Sequence, residues 1–131
     1  MRVRAFLVAA AVATLVLAAT ATAATRYESR SVSVTKSEFP GTTRIELNGK
    51  VTSAHSVAGC YARVPVRLDR RRSNGTWATI RSARTSTKGL FAWTIVGFKE
   101  RARVVVPAVT ASKLACAKVI LSYDKGYLSP G

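Results

Sequence analysis

Seven arginines within a short stretch of the chain have the type and spacing that could bind an anion. Three of them are consecutive in the segment DRRRSNGTW, and two more stand on each side. Guanidinium groups bind phosphate, sulfate and carboxylate through paired hydrogen bonds. The candidate polyanion-binding residues are Arg63, Arg67, Arg70, Arg71, Arg72, Arg81 and Arg84. Two interpretations are open: a continuous basic stripe that binds a polyanion, or solvated side chains that keep a hairpin tip from pairing with other chains.

The charge of the whole chain also favours an anionic partner. The chain has 21 Lys and Arg against 6 Asp and Glu, a net charge of +15 at pH 7. Such an excess attracts polyanions and acidic surfaces. A second basic cluster is formed by Lys99, Arg101 and Arg103, and its distance from the first depends on the strand order. Because no aromatic strand motif or helix-turn-helix accompanies the basic residues, no specific nucleic acid is expected as a partner.

Catalytic chemistry has little support in the sequence. His55 is the only histidine, and its loop-like surroundings predict an ordinary solvated side chain. The six acids are scattered, and no Gly-x-Ser-x-Gly motif or glycine-rich phosphate loop is present. We therefore expect no enzyme activity, no catalytic residues, no cofactor and no metal site. A protease-inhibitor role through an exposed loop stays open.

The chain contains two cysteines, Cys60 and Cys116. An even number of cysteines in an exported chain predicts a disulfide. A bridge between residues so far apart in sequence would stabilise the fold by about 4 kcal/mol, through the entropy of the unfolded chain. A metal site is excluded, because two thiols and one distant histidine do not complete tetrahedral coordination.

Short segments of alternating polarity predict seven β-strands and no helix. β-branched and aromatic residues are enriched in these segments, and turn residues separate them. The predicted strands are residues 31–36, 43–52, 63–69, 77–83, 90–96, 101–106 and 117–123. Seven short strands in about 100 residues predict an all-β fold, a seven-stranded antiparallel Greek-key sandwich that is immunoglobulin-like or prealbumin-like.

Turn and bulge signals refine this pattern in two places. Asn74-Gly75 lies between two strand patterns and predicts a hairpin, because both residues tolerate positive φ. Trp77 and Ile80 are three residues apart, so both can face the core only if a bulge lies between them.

Three other positions carry local predictions. Asn48-Gly49, inside a strand pattern, predicts a bulge or a tight bend. Pro65 has no N–H to donate to a neighbouring strand and predicts an edge strand. Trp93 alternates with two other large apolar residues and is expected in the core.

Several short motifs occur in an order typical of a known kind of domain. They are Gly49-Lys50-Val51, Val64 to Leu68, Gly75-Thr76-Trp77, Thr85 with Lys88 to Phe91, and Arg101 to Pro107. This order resembles the carboxypeptidase regulatory-like and related immunoglobulin-like sandwich domains of secreted bacterial proteins, over residues 45–107. The resemblance implies a non-catalytic module that positions, supports or adheres, and it brings no catalytic residues with it.

The N-terminal residues predict a secretory signal peptide. Arg2 and Arg4 precede an apolar run over residues 5–19, and Ala21-Thr22-Ala23 fits the cleavage rule, so we place the cut after Ala23. The alternative is an uncleaved membrane anchor, which the modest hydrophobicity of the run disfavours. Cleavage removes two arginines and no acid, which lowers the net charge from +15 to +13.

The predicted organisation is a signal peptide over residues 1–23, a polar lead-in over 24–29, one β-sandwich domain over 30–124 and a tail over 125–131. We expect a secreted, extracellular, non-catalytic module with an interaction or structural role at the cell envelope, without a stable membrane anchor. Its partner would be a protein or an anionic polymer of the envelope. The alternative is a cationic effector that binds an anionic wall polymer, a sulfated glycan or a membrane surface.

Overall fold

The computed structural model of the protein describes residues 24–130, so the predicted signal peptide lies outside the described residues. These residues form ten strands and one helical turn. The elements are β1 Arg26–Glu28, β2 Arg30–Glu38, β3 Arg44–Ser53, α1 Ala58–Tyr61, β4 Pro65–Arg71, β5 Trp77–Arg84, β6 Leu90–Val96, β7 Ala102–Val106, β8 Val109–Ala111, β9 Leu114–Cys116 and β10 Val119–Tyr123. Within residues 24–130, no helix has the length and apolar character needed to cross a membrane.

The strands are arranged in three sheets. Their orders are β2-β3-β6, β10-β7-β4-β5 and β1-β9-β8. All the pairs are antiparallel except β1 with β9, which is parallel. The prediction of a mostly β fold built from antiparallel strands is therefore confirmed. The third sheet was not predicted, because strands of three residues are too short to show an alternating pattern.

Side chains of the two larger sheets share one hydrophobic core. Ile45 and Leu47 of β3 lie in the same buried cluster as Val66 and Leu68 of β4. The other strands contribute Phe91, Trp93, Ile95, Ala102, Val104 and Val106. These are the side chains that the alternating pattern predicted to face inward, and Trp93 is in the core as expected. Each fully buried large apolar side chain contributes roughly 1.5–3 kcal/mol.

The prediction that Pro65 marks an edge strand is wrong. β4 lies between β7 and β5 and pairs with both. Pro65 is tolerated there because it is the first residue of β4, and pairing with β7 begins only at Arg67. A bulge is present, since the register of β4 and β5 shifts after Leu68 and leaves Ile80 as the extra residue, but it does not turn both side chains to the core. Ile80 packs against the core, whereas the ring of Trp77 contacts the guanidinium groups of Arg71 and Arg103 instead.

The prediction of a bulge or bend at Gly49 is also wrong. β3 runs straight through this residue and pairs in continuous register with β2 and β6. A Cβ at Gly49 would overlap the ring of Phe91, its cross-strand partner. Glycine is needed here because an aromatic ring packs directly on the backbone, which is another reason for glycine to interrupt a strand pattern.

The predicted disulfide is present and joins α1 to β9. Cys60 and Cys116 have Cα atoms 5.5 Å apart. Arg30 is buried beside the bridge, and its guanidinium donates hydrogen bonds to the carbonyl oxygens of Cys60, Pro107 and Ala117. The disulfide and this side chain together connect the third sheet to the rest of the fold.

The segments on either side of the predicted domain are part of the fold. The predicted lead-in contains β1, and Glu28, the last residue of β1, has a buried side chain. Leu128, in the predicted tail, is buried in the core, and its carbonyl accepts the Phe98 N–H at 3.0 Å. The Gly126 N–H donates to the Lys99 carbonyl at 2.7 Å. The chain after β10 is therefore fixed against the loop between β6 and β7.

A candidate anion-binding cleft at the β4–β5 hairpin

The β4–β5 hairpin forms one wall of an open cleft. The Gly75 N–H donates to the Arg72 carbonyl at 3.0 Å, and the Arg72 N–H donates to the Thr76 carbonyl at 2.7 Å. Gly75 has φ of 87°, which glycine adopts without strain. The side-chain oxygen of Asn74 accepts the Thr76 N–H at 3.0 Å. The hairpin predicted from Asn74-Gly75 is confirmed, although only the glycine of the pair has positive φ.

The rest of the lining comes from two distant parts of the chain. The loop between β6 and β7 is tied to the hairpin, because the Arg71 N–H donates to the Arg101 carbonyl at 2.9 Å. The turn after β10 is tied to that loop through Gly126 and adds Lys125. The cleft measures about 1010 Å³ and is lined by Arg70, Arg71, Arg72, Ser73, Asn74, Gly75, Ala78, Ile80, Glu100, Arg101 and Lys125.

The lining of this cleft is strongly basic. Its cationic residues are Arg70, Arg71, Arg72, Arg101 and Lys125. Among the described residues that line it, Glu100 is the only acid, and it forms an ion pair with Arg70. The side chains of Ala78 and Ile80 add an apolar surface. The arrangement offers an anion five cations from three segments of the chain, with a single carboxylate among them.

The predicted stripe of seven arginines is divided among separate surfaces. Only the consecutive arginines at residues 70–72 line the cleft. Arg84 donates to the carbonyl of Arg63 at 2.9 Å, at the end of the hairpin opposite the turn. The Arg81 guanidinium donates to the carbonyl of Ile80. Arg67 lies on the face of its sheet that is turned away from the core.

That face, which we call the outer face, carries a second arrangement of arginines around a buried acid. Asp69 is only 1% exposed. Its Oδ1 atom lies 3.2 Å from Arg67 Nε and its Oδ2 atom 2.9 Å from Arg103 Nε. The Thr79 hydroxyl donates to Oδ1 at 2.8 Å. Burial raises the pKa of Asp69, but the hydrogen bonds from Arg103, Thr79 and Arg67 outweigh burial and hold the pKa below its ordinary value.

Trp77 connects the outer face to the cleft. Its half-buried ring contacts two guanidinium groups, with Arg103 at 4.4 Å and Arg71 at 5.2 Å from the ring centroid. Such cation–π contacts fix the planes of both arginines. The second predicted cluster is therefore split, since Arg103 belongs to the outer face and Arg101 to the cleft.

Sequence reasoning missed Glu100 and Lys125 as members of the cleft. Glu100 is one residue from a predicted cluster but was treated only as a scattered acid. Lys125 lies in the stretch interpreted as a tail. No local pattern marks either residue, because only the strand order brings residues 70–75, 100–101 and 125 together.

His55 is solvated, as its loop-like sequence predicts, with 72% of its side chain exposed, but it also has a buried partner. Its Nδ1 atom lies 2.9 Å from Oε1 of the buried Glu28, and its backbone N–H donates to Oε2 at 2.7 Å. The side-chain hydrogen bond with His55, opposed by burial, lowers the pKa of Glu28 to about 2. A carboxylate that orients a histidine is one part of a hydrolytic triad. No contact within residues 24–130 supplies the nucleophile that a triad needs.

Comparison with known proteins gives no family for this chain. No family model, no curated protein and no solved structure matches it.

Proposed function

We propose that this protein is a secreted, non-catalytic β-sandwich module that works at the cell envelope by binding an anionic polymer in the basic cleft. The resemblance to carboxypeptidase regulatory-like and immunoglobulin-like domains supports a binding or adhesive role. The disulfide supports a location outside the cell, because such bonds persist in oxidising compartments. The N-terminal sequence supports export through a cleaved signal peptide.

The strand order supports a Greek-key sandwich of immunoglobulin type. The two larger sheets hold seven strands, in the orders β2-β3-β6 and β10-β7-β4-β5. The chain crosses from one of these sheets to the other after β3, after β5 and after β6. Immunoglobulin-like domains divide their seven strands between two sheets with similar crossings. In this arrangement the hairpin and the loop after β6 meet at one end of the sandwich, where such domains commonly bind.

The observation that carries the proposed function is the excess of cations in the cleft. Five basic side chains face one carboxylate there, whereas the outer face pairs its arginines with a buried acid. Arginine keeps its charge at all physiological pH values and pairs bidentately with phosphate and sulfate. A polymer that carries one such group on each repeat unit would contact several of these cations at once.

The test compares two triple variants with the same loss of charge. Arg70→Ser, Arg71→Ser and Arg72→Ser together remove cations of the cleft. Arg63→Ser, Arg81→Ser and Arg84→Ser together remove three exposed arginines outside it. We expect the first variant to bind heparin and long-chain polyphosphate about tenfold more weakly or worse, and the second to stay within about threefold of the wild type.

Salt provides the second readout of the same experiment. Wild-type affinity should fall steeply with ionic strength, and the slope of log affinity against log salt should be shallower by about three contacts in the cleft variant. Equal losses in the two triple variants would show that net charge alone drives binding, and the proposed role of the cleft would then be wrong. Retention that is insensitive to salt would favour a protein partner instead.

A further inference from the structure

Building on the proposed function of the cleft, we infer that Glu100 is an internal competitor for the Arg70 guanidinium, and that a ligand binds by displacing this carboxylate. Arg70 and Glu100 both line the cleft and form an ion pair there. The ligand's anionic group takes the place of the carboxylate on Arg70, so the exchange makes and breaks no covalent bond.

The geometry keeps Arg70 in place while its partner is exchanged. The guanidinium stacks over the ring of Phe98, with its central carbon 4.8 Å from the ring centroid. Phe98 is buried, and its N–H is bonded to the Leu128 carbonyl, so the ring is a fixed surface. Since this contact does not involve Glu100, Arg70 stays oriented toward the cleft when the carboxylate leaves.

Solvent exposure makes the pair exchangeable. The Arg70 side chain is 46% exposed and the Glu100 side chain 37%, whereas the carboxylate of Asp69 on the outer face is almost fully buried. Exposed ion pairs are weak, because water screens them and two mobile side chains must be held in one geometry. Breaking such a pair changes the equilibrium constant of a coupled process, here ligand binding, by about two- to fivefold.

This competition makes the cleft selective for anions with several charges. Glu100 belongs to the same chain as Arg70, so its effective concentration at the guanidinium is high. A single phosphate or carboxylate that displaces it exchanges one anionic contact for another and gains little. A polyvalent ligand also contacts Arg71, Arg72, Arg101 or Lys125, and these added contacts offset the lost ion pair. The ligand class is therefore a linear polymer that carries a phosphate or sulfate group on each repeat unit.

The experiment is a double-mutant cycle with long-chain polyphosphate as the probe, measured by titration calorimetry at pH 7. Glu100→Gln should raise the affinity about two- to fivefold. Glu100→Gln made together with Arg70→Gln should give no gain over Arg70→Gln alone. Glu46→Gln is the matched control, because it removes the same charge from a residue that bonds Asn48 away from the cleft, and it should leave the affinity unchanged. Inorganic phosphate should bind the wild type at least about a hundredfold more weakly than the polymer does.

Three results would overturn the inference in distinguishable ways. A gain from Glu100→Gln that persists beside Arg70→Gln would mean that Glu100 acts by general repulsion rather than through Arg70. Polymer binding that the cleft triple variant abolishes but Glu100→Gln leaves unchanged would refute the competition and leave the proposed function standing. If the wild-type protein binds neither polyphosphate nor heparin, both the competition and the proposed function are refuted.

Discussion

The outer face and the cleft hold arginines of the same strand in two different electrostatic states. Arg67, on the outer face, is bonded to Asp69, which is buried and also bonded to Arg103. Arg70 is three residues further along β4 and lines the cleft, where the one acid is partly exposed. The first group has one buried carboxylate for two arginines, which it fixes in place, and the second has one partly exposed carboxylate for five cations and so retains the larger net positive charge.

The difference shows that the placement of the acids, rather than the count of arginines, separates structural from binding cations. A buried carboxylate holds its arginines because leaving it unpaired would be costly. An exposed carboxylate releases its arginine at little cost, since water solvates both groups. Arg71 belongs to both regions, because its guanidinium stacks on Trp77 while it also lines the cleft.

The largest effect that would test this comparison is the removal of the buried acid. Asp69→Ala should lower the free energy of unfolding by about 3 kcal/mol, because it removes the anion that pairs two arginines on the outer face. Urea denaturation followed by tryptophan fluorescence measures this change. A loss below about 1 kcal/mol would mean that the outer-face arginines are no more fixed than those of the cleft.

Acid should produce part of the same loss without a mutation. The pKa of Asp69 is lowered from its ordinary value of 3.8, and that of Glu28 from 4.5 to about 2. The unfolded chain therefore takes up protons first, and stability should fall as the pH drops from about 4.5 toward 2 and stay nearly level above 4.5 from these two groups. Urea midpoints at a series of pH values measure the trend. Asp69→Asn and Glu28→Gln should each flatten it, and an unchanged trend in both variants would contradict the assignment.

A smaller effect should come from changing the shape of a cation while its charge is kept. Arg103→Lys should cost about 1 kcal/mol, because lysine lacks the planar group that bonds Asp69 and stacks on Trp77. The matched control is Arg101→Lys in the cleft, which should change stability by less than about 0.5 kcal/mol. Thermal unfolding of the two variants side by side provides the measurement. Equal shifts in the melting temperature would mean that the arginines of the outer face are held no more firmly than those of the cleft.

The smallest effect on folding should come from the acid of the cleft. Glu100→Gln breaks an exposed ion pair and should change the free energy of unfolding by less than about 0.5 kcal/mol. The same denaturation experiment used for Asp69→Ala checks this value. A loss of 2 kcal/mol or more would show that Glu100 is part of the framework, and it would then be a poor candidate for exchange with a ligand.

The elements with a regular pattern could be predicted from the sequence. Long strands such as β3 and β6 alternate clearly between apolar and polar residues, and their inward faces were predicted correctly. Asn74-Gly75 marked a real hairpin, and the spacing of Trp77 and Ile80 marked a real bulge. Each of these signals is local, so one sequence is enough to detect it.

Features that depend on the strand order could not be predicted. The missing N–H of Pro65 can be read from the sequence, and it predicted an edge strand. That Pro65 is the first residue of an inner strand depends on the strand order, which the sequence does not show. The sequence shows Asp69 only as one of six scattered acids, and its bonds to Thr79 of β5 and Arg103 of β7 depend on the strand order. The cleft likewise combines three distant segments, of which the sequence marked the arginines at 70–72 as a candidate site and Arg101 as part of a second basic cluster.

Arg30 and the disulfide both hold the backbone near Cys60 to the backbone near Cys116, one through hydrogen bonds and the other through a covalent bond. The sulfur bridge joins Cys60 to Cys116, and the guanidinium holds the peptide oxygens of Cys60, Pro107 and Ala117. A reductant breaks the first link and leaves the second in place. When one link is lost, the other still restrains the same backbone. The two effects are therefore coupled, and removing both links should lower the free energy of unfolding by more than the sum of the two single losses. This end of the molecule should therefore keep part of its stability when the disulfide is reduced.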